Sequence, residues 1–134
     1  MLLNYIKVLL VGSQYSTTKR LIDTNMRSWI FQYETSFSKA SEWIIDNKVD
    51  LVVFCVDSLL VRSHEVDEVV SAVEVCTSKA PVILIADVNT GKATNNELLT
   101  QIVQSARESG VAGVIDCKDS SLDLSALKDL VTSI

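Results

Sequence analysis

The run Asp50-Leu51-Val52-Val53-Phe54-Cys55-Val56-Asp57 reads as a buried strand that ends on polar residues. In an open parallel α/β sheet, ligands and chemistry gather outside the carboxyl ends of the strands. Cys55 and Asp57 therefore stand where a nucleophile, an acceptor or a metal ligand would be. Asp87 and Asp116 lie near the ends of two later apolar runs, and Cys117 and Lys118 follow directly. Carboxylates at Asp57, Asp87 and Asp116 on neighbouring strands could converge on a divalent cation. Asp57 could also accept a phosphoryl group, with Lys118 as its cation. Against both stands the ordinary use of aspartate at strand ends, which is to cap turns; this is the reading the sequence favours.

Two further groupings carry weaker chemistry. Gly12-Ser13-Gln14-Tyr15-Ser16-Thr17-Thr18-Lys19 follows a strand and opens a helix, a context that can hold an anion on backbone N–H groups. The second glycine and correctly placed lysine of a P-loop are missing, and no Asn-Lys-x-Asp base-reading motif occurs. The stretch before the third strand is too short for GTPase switch elements. A capped helix start is the simpler reading, and a degenerate nucleotide-binding module the alternative. The three cysteines, Cys55, Cys76 and Cys117, lie in apolar or strand-end settings. Cys55, between Phe54 and Val56, is expected to have a raised, unreactive thiol. An intervening strand would keep Cys55 and Cys117 too far apart for a disulfide. With His64 the single histidine, a His/Cys zinc site is not expected. No metal and no cofactor is expected.

Composition narrows the classes. A chain of 134 residues fits one domain, here residues 1–134, and can bury a core. The net charge of −5 argues against a nucleic-acid-binding surface. No apolar run approaches the roughly 20 residues of a membrane span. The N-terminus lacks the basic flank and cleavage site of a signal peptide. An odd cysteine count without paired spacing points to a reducing cytoplasm.

The elements that would position these residues alternate strictly. Strands are predicted at Ile6–Val11, Trp29–Tyr33, Leu51–Val56, Pro81–Ala86 and Val111–Asp116. Helices are predicted at Ser16–Met26, Ser38–Asn47, His64–Cys76, from a capping box at Thr94-Asn95-Asn96-Glu97 to Ser109, and at Leu122–Ser133. Continuous apolar strands imply burial on both faces, hence a parallel sheet between helices. Right-handed crossovers give a three-layer, doubly wound α/β domain. Trp29 and Trp43 would pack at the sheet edge, and Leu130 and Ile134 could leave apolar surface for a dimer or a neighbouring domain.

These elements resemble a response-regulator receiver domain over nearly the whole chain. The resemblance rests on Lys7-Val8-Leu9-Leu10-Val11, on Ser38-Lys39-Ala40-Ser41-Glu42-Trp43-Ile44-Ile45 leading into Val49-Asp50-Leu51-Val52-Val53, on Ala80-Pro81-Val82-Ile83-Leu84-Ile85, and on Gly110-Val111-Ala112-Gly113-Val114-Ile115. It implies a five-stranded flavodoxin-like sheet of order 2-1-3-4-5. It also implies a site made of an acidic pair that holds Mg²⁺, an aspartate acceptor, a hydroxyl residue and a lysine. In this sequence the acidic pair falls on Gly12 and Ser13, the acceptor on Cys55, the hydroxyl on Ala86 and the lysine on Cys117. A dianionic phosphoryl group needs a cation and positioned donors, and those side chains are absent.

The expectation is a non-catalytic pseudo-receiver in the cytoplasm that acts by protein–protein interaction or dimerisation. It would be a stand-alone adaptor or the N-terminal domain of a larger bacterial regulator of transcription, pilus assembly or localisation. The resemblance places docking on the fourth helix, fifth strand and fifth helix, or on the first helix. The longer connection around Val88–Asn95 would alter that face. A receiver phosphorylated on Asp57 is the competing reading.

Overall fold

Side-chain alternation along five apolar strands decides the layers. The computed structural model describes residues 5–90 and 96–134. Strands β1 (Ile6–Val11), β2 (Trp29–Glu34), β3 (Leu51–Asp57), β4 (Val82–Val88) and β5 (Gly113–Lys118) form one parallel sheet in the order β2-β1-β3-β4-β5. This is the predicted order. Leu9, Val11, Val52, Phe54, Leu84 and Ala86 face one side and pack on helices α2 (Phe37–Asp46), α3 (Val66–Thr77) and α4 (Asn96–Ser109). Val8, Leu10, Val53, Cys55, Ile83 and Ile85 face the other and pack on α1 (Thr17–Asn25) and α5 (Leu124–Thr132). The inner strands are apolar on both faces because both are covered.

Local chemistry sets the ends of the helices. Ser16, Ser36 and Asp123 are N-caps whose side-chain oxygens accept from Lys19, Lys39, and Ser125 and Ala126 N–H groups. Gly110, at φ 90°, takes the left-handed position after α4. Thr94 and Asn95 of the expected capping box lie outside the described residues, and so does most of the longer connection before α4. The helix expected from His64 opens instead as a 3-10 turn, Ser63–Glu65, in which the Glu65 carboxylate accepts from Arg62 N–H at 2.9 Å. Regular helix starts at Val66. Strand β4 continues past Ala86 because the carbonyls of Asp87 and Val88 accept from Ser58 and Asp119 N–H at 2.9 and 2.8 Å.

Leu130 does not lie free. It covers Gly113, where a Cβ would fall 2.5 Å from Leu130 Cδ2, so glycine lets α5 approach β5. Ile134 stays exposed. In the larger cluster, Phe54 is fully buried and stacks on Phe37 with ring centroids 6.1 Å apart. Phe54→Ala is expected to cost about 3–5 kcal/mol, the transfer loss plus an unfilled cavity, in urea unfolding followed by circular dichroism.

Candidate functional site

The carboxyl end of the sheet brings Gly12, Cys55, Asp57, Asp87 and Cys117 to one side, the α1/α5 face, through parallel register. Asp57 pairs with Asp87 and Asp87 with Cys117. Val56, Ala86 and Asp116 form the row one residue earlier. Because a strand alternates sides with period two, Asp116 and Lys118 point to the other face from Cys117. Both are exposed. Asp116 does not converge with Asp57 and Asp87, the arrangement that turn capping was favoured over, and Lys118 does not turn toward Asp57. Ala86 faces the α3 and α4 side.

Cys55 is 2% exposed and belongs to the core under α1. Burial pushes its thiol up to about 12, opposed by Thr18 and the Lys19 charge. Across from it, β1 runs so close that a Cβ on Gly12 would lie 2.9 Å from the Cys55 carbonyl oxygen. No side chain fits at position 12 without moving backbone. Ser13 is a turn residue: its Oγ accepts from Tyr15 N–H at 3.1 Å and its carbonyl from Ser16 N–H at 2.9 Å.

The charge in this corner comes from Lys19, only 8% exposed. Its ammonium donates to the Gly12 carbonyl at 3.0 Å and lies 5.8 Å from the Tyr33 ring centroid. Desolvation lowers its pKa, while Cys55, Glu34 and Asp23 act in the opposite sense. Tyr33 in turn donates its hydroxyl to Asp23. The one lysine of the Gly12–Lys19 segment is thus turned inward and tied to the loop's own backbone.

Asp57 is half-buried. Its carboxyl pKa is raised, first by burial and further by the Asp87 charge, while the Leu59 N–H that donates to Oδ1 at 2.8 Å pulls it down. A cavity of about 40 Å³ beside it is lined by Ser13, Ser16, Thr35, Cys55 and Glu65 among others; that is room for about one or two waters. Asp87, 2% exposed, is fully engaged: Oδ1 accepts from Ser120 N–H and Oδ2 from Ser120 Oγ, each at 2.9 Å. The neighbouring Asp119 accepts from Thr90 N–H at 2.9 Å and from Thr90 Oγ1 at 2.5 Å. These contacts hold Asp119 and Ser120 at φ 48° and 64°, left-handed values uncommon outside glycine. Asp87 is therefore the clasp of the loop after β5.

The residues do not fit the magnesium ion that the receiver resemblance implies. Position 12 admits no carboxylate, Ser13 is neutral, and both oxygens of Asp87 are spent on Ser120. Among the described residues, no group of three or more His, Cys, Asp or Glu side chains is arranged to hold a metal ion. All three cysteines are free and buried.

Sequence reasoning missed Lys19 and Ser120. Lys19 had a signal: counting back from Met26 and Ile22 at helical spacing lands on Lys19 and Thr18, which line the inner side of α1. Ser120 had none, since its role depends on backbone conformation 33 residues from Asp87.

No protein-family model matches the sequence, and neither does any curated protein. Solved structures do match. The receiver domain of the sensor histidine kinase PA1611 from Pseudomonas aeruginosa PAO1, described with a magnesium ion coordinated in its active-site cleft, superposes with TM-score 0.65 at 13% identity, covering 97% of each chain. A two-component response regulator from Clostridium difficile gives 0.61 at 16% identity, over 96% of this chain and 93% of its own. The pilus assembly protein CpaE from Caulobacter crescentus CB15 gives 0.58 at 13%, over 96% and 92%.

Two outcomes are expected at this site. Gly12→Asp, which puts back a carboxylate, should destabilise the protein by about 1–3 kcal/mol through overpacking and should not create magnesium binding in calorimetry. The cysteines set an alkaline limit. Each thiol is raised from 9.0 to about 12 by burial. Above pH 9 the unfolded chain releases these protons and the folded chain keeps them, so stability must fall as pH climbs from 9 toward 12. Urea midpoints measured across that range should decline, and thiol reagents at pH 8 should label the native protein only after unfolding.

At this level of identity the likeness speaks for architecture. Taken with the strand order and the end-to-end coverage, it establishes that the chain has the fold of response-regulator receiver domains.

Proposed function

We propose that this chain is a pseudo-receiver: a signalling module of receiver fold that takes up no phosphoryl group by the usual route and works through a protein partner. The observation that carries this is the filled corner at Gly12 and Cys55. The acceptor position is a thiol sealed in the core, and the backbone beside it leaves no space for an acidic side chain. The only cation reaching in among the described residues is Lys19, which is already bonded to the Gly12 carbonyl. Phosphoryl transfer relies on metal and positioned donors around the moving charge, and this corner offers neither.

With chemistry removed, what such a fold retains is surface. The exposed Asp116 and Lys118 on edge strand β5, with the outer sides of α4 and α5, or the outer side of α1, are the faces on which a partner would be bound. The likeness to CpaE and to response regulators supports a role inside a bacterial regulator of assembly or transcription. Among the described residues no helix is long and apolar enough to cross a membrane.

Asp57 keeps one competing reading alive, because it is a half-buried carboxylate at a strand end beside the small cavity. Incubation with acetyl phosphate and Mg²⁺, followed by intact mass measurement, separates the two. The mass should stay unchanged. A gain of one phosphoryl group that disappears in Asp57→Asn would establish Asp57 as a displaced acceptor and overturn the proposal.

A further inference from the structure

Among the described residues, strand β2 is an open edge of a kind that proteins usually protect. Its residues, Trp29–Glu34, contain no lysine or proline, and its register with β1 is unbroken by a bulge. Those devices are what blunt an exposed edge against further pairing. The hydrogen bonds say which groups are open. Ile6 N–H donates to the Ser28 carbonyl and Gly12 N–H to the Glu34 carbonyl, so the even-numbered residues of β2 turn their main-chain groups toward β1. In a parallel ladder the odd-numbered residues then point theirs outward. Trp29 N–H is taken by the Met26 carbonyl. The carbonyls of Trp29, Phe31 and Tyr33 and the N–H groups of Phe31 and Tyr33 face away from the sheet.

The side chains of the same odd residues form a ladder on the α1 side. Trp29 meets Phe31 edge-on at 6.0 Å, and Phe31 stacks on Tyr33 at 5.5 Å. On the opposite side Ile30 is 52% exposed, and Tyr33 is 45% exposed at the end of the ladder. Arg27, exposed just before the strand, makes no ion pair among the described residues.

We propose that β2 is the docking edge for a second copy of this chain, paired antiparallel about a two-fold axis through Phe31 to give one continuous sheet. Symmetry selects the register. An antiparallel two-fold across a sheet edge must run normal to the sheet, so both copies keep α1 on the same side and odd residues meet odd residues. Centring on Phe31 gives the longest overlap within Trp29–Tyr33. Phe31 then exchanges both main-chain bonds with its counterpart, and each Tyr33 N–H donates to the Trp29 carbonyl across the axis. The two aromatic ladders join into one stripe, with Trp29 of each copy opposite Tyr33 of the other, the kind of cross-strand pair that stabilises sheets. Charge agrees with the direction: the Arg27 end of each strand meets the Glu34 end of the other, where parallel pairing would set like against like. The pairing does not depend on the chemistry at Cys55, which lies on β3, across β1 from this edge.

Sedimentation equilibrium on the full chain over a range of concentrations should show a reversible dimer. Ile30→Lys with Gln32→Lys, which sets lysine against lysine across the axis and leaves the aromatic ladder intact, should weaken association by about tenfold or more while the circular dichroism spectrum stays native. Independently, Ile30→Cys with Gln32→Cys should give a disulfide-linked dimer with oxidised glutathione. These residues face each other as a non-hydrogen-bonded pair with Cα atoms about 4.5 Å apart, within disulfide reach. A chain that is monomeric at every concentration would overturn the proposal. A dimer untouched by the lysines that also fails to cross-link would do the same, placing the contact on another surface.

Discussion

The close approach of β1 to β3 at Gly12 and Cys55 is the constraint on which the rest of this molecule turns. A missing Cβ at position 12 lets the Cys55 carbonyl lie where a side chain would be. The Gly12 carbonyl is left to be met by a donor, and Lys19 reaches it from the inner side of α1. That bond fixes the start of α1 over the sheet. It also brings Lys19 over Tyr33, which ties to Asp23 on α1. One contact thus links the central strand, the first helix and the edge strand. A hydrogen bond from a charged donor is typically worth about 1.5–3 kcal/mol, enough to matter in a fold of this size.

The same packing bears on what this end of the sheet has room for. Parallel α/β sheets gather loops and polar side chains at the carboxyl ends of their strands, so the place is suited to binding. Among the described residues, several of the polar groups that reach it have local tasks. Asp87 clasps Ser120, Asp119 holds Thr90, Asp57 caps the turn to Leu59, and Ser58 Oγ accepts from Asn89 N–H at 2.8 Å. These contacts hold the described parts of the loops in one arrangement.

The layered fold was legible because its signal is repeated. Strands β1 to β4 are runs rich in branched or aromatic residues, the helices show apolar stripes, and their alternation admits few topologies. Cys55 was rightly expected to carry a raised thiol, since Phe54 and Val56 on either side announce burial. The carboxylates were harder. Asp57, Asp87 and Asp116 look alike in sequence, yet one step of register places Asp116 on the far side of the sheet. Lys19 reads as a surface residue by type and is buried by position. The Ser120 clasp needs two consecutive left-handed residues, which no local sequence pattern here announces.

The central claim is that the corner at Gly12 and Cys55 is closed to metal and phosphoryl group alike. The direct measurement is an amide-resolved nuclear magnetic resonance titration of the chain with magnesium chloride, followed by beryllofluoride as a phosphoryl mimic. The account predicts that the amides of Gly12, Ser13, Cys55, Asp57 and Asp87 stay where they are through both additions. Saturable shifts centred on Asp57 that require magnesium and grow with beryllofluoride would contradict it.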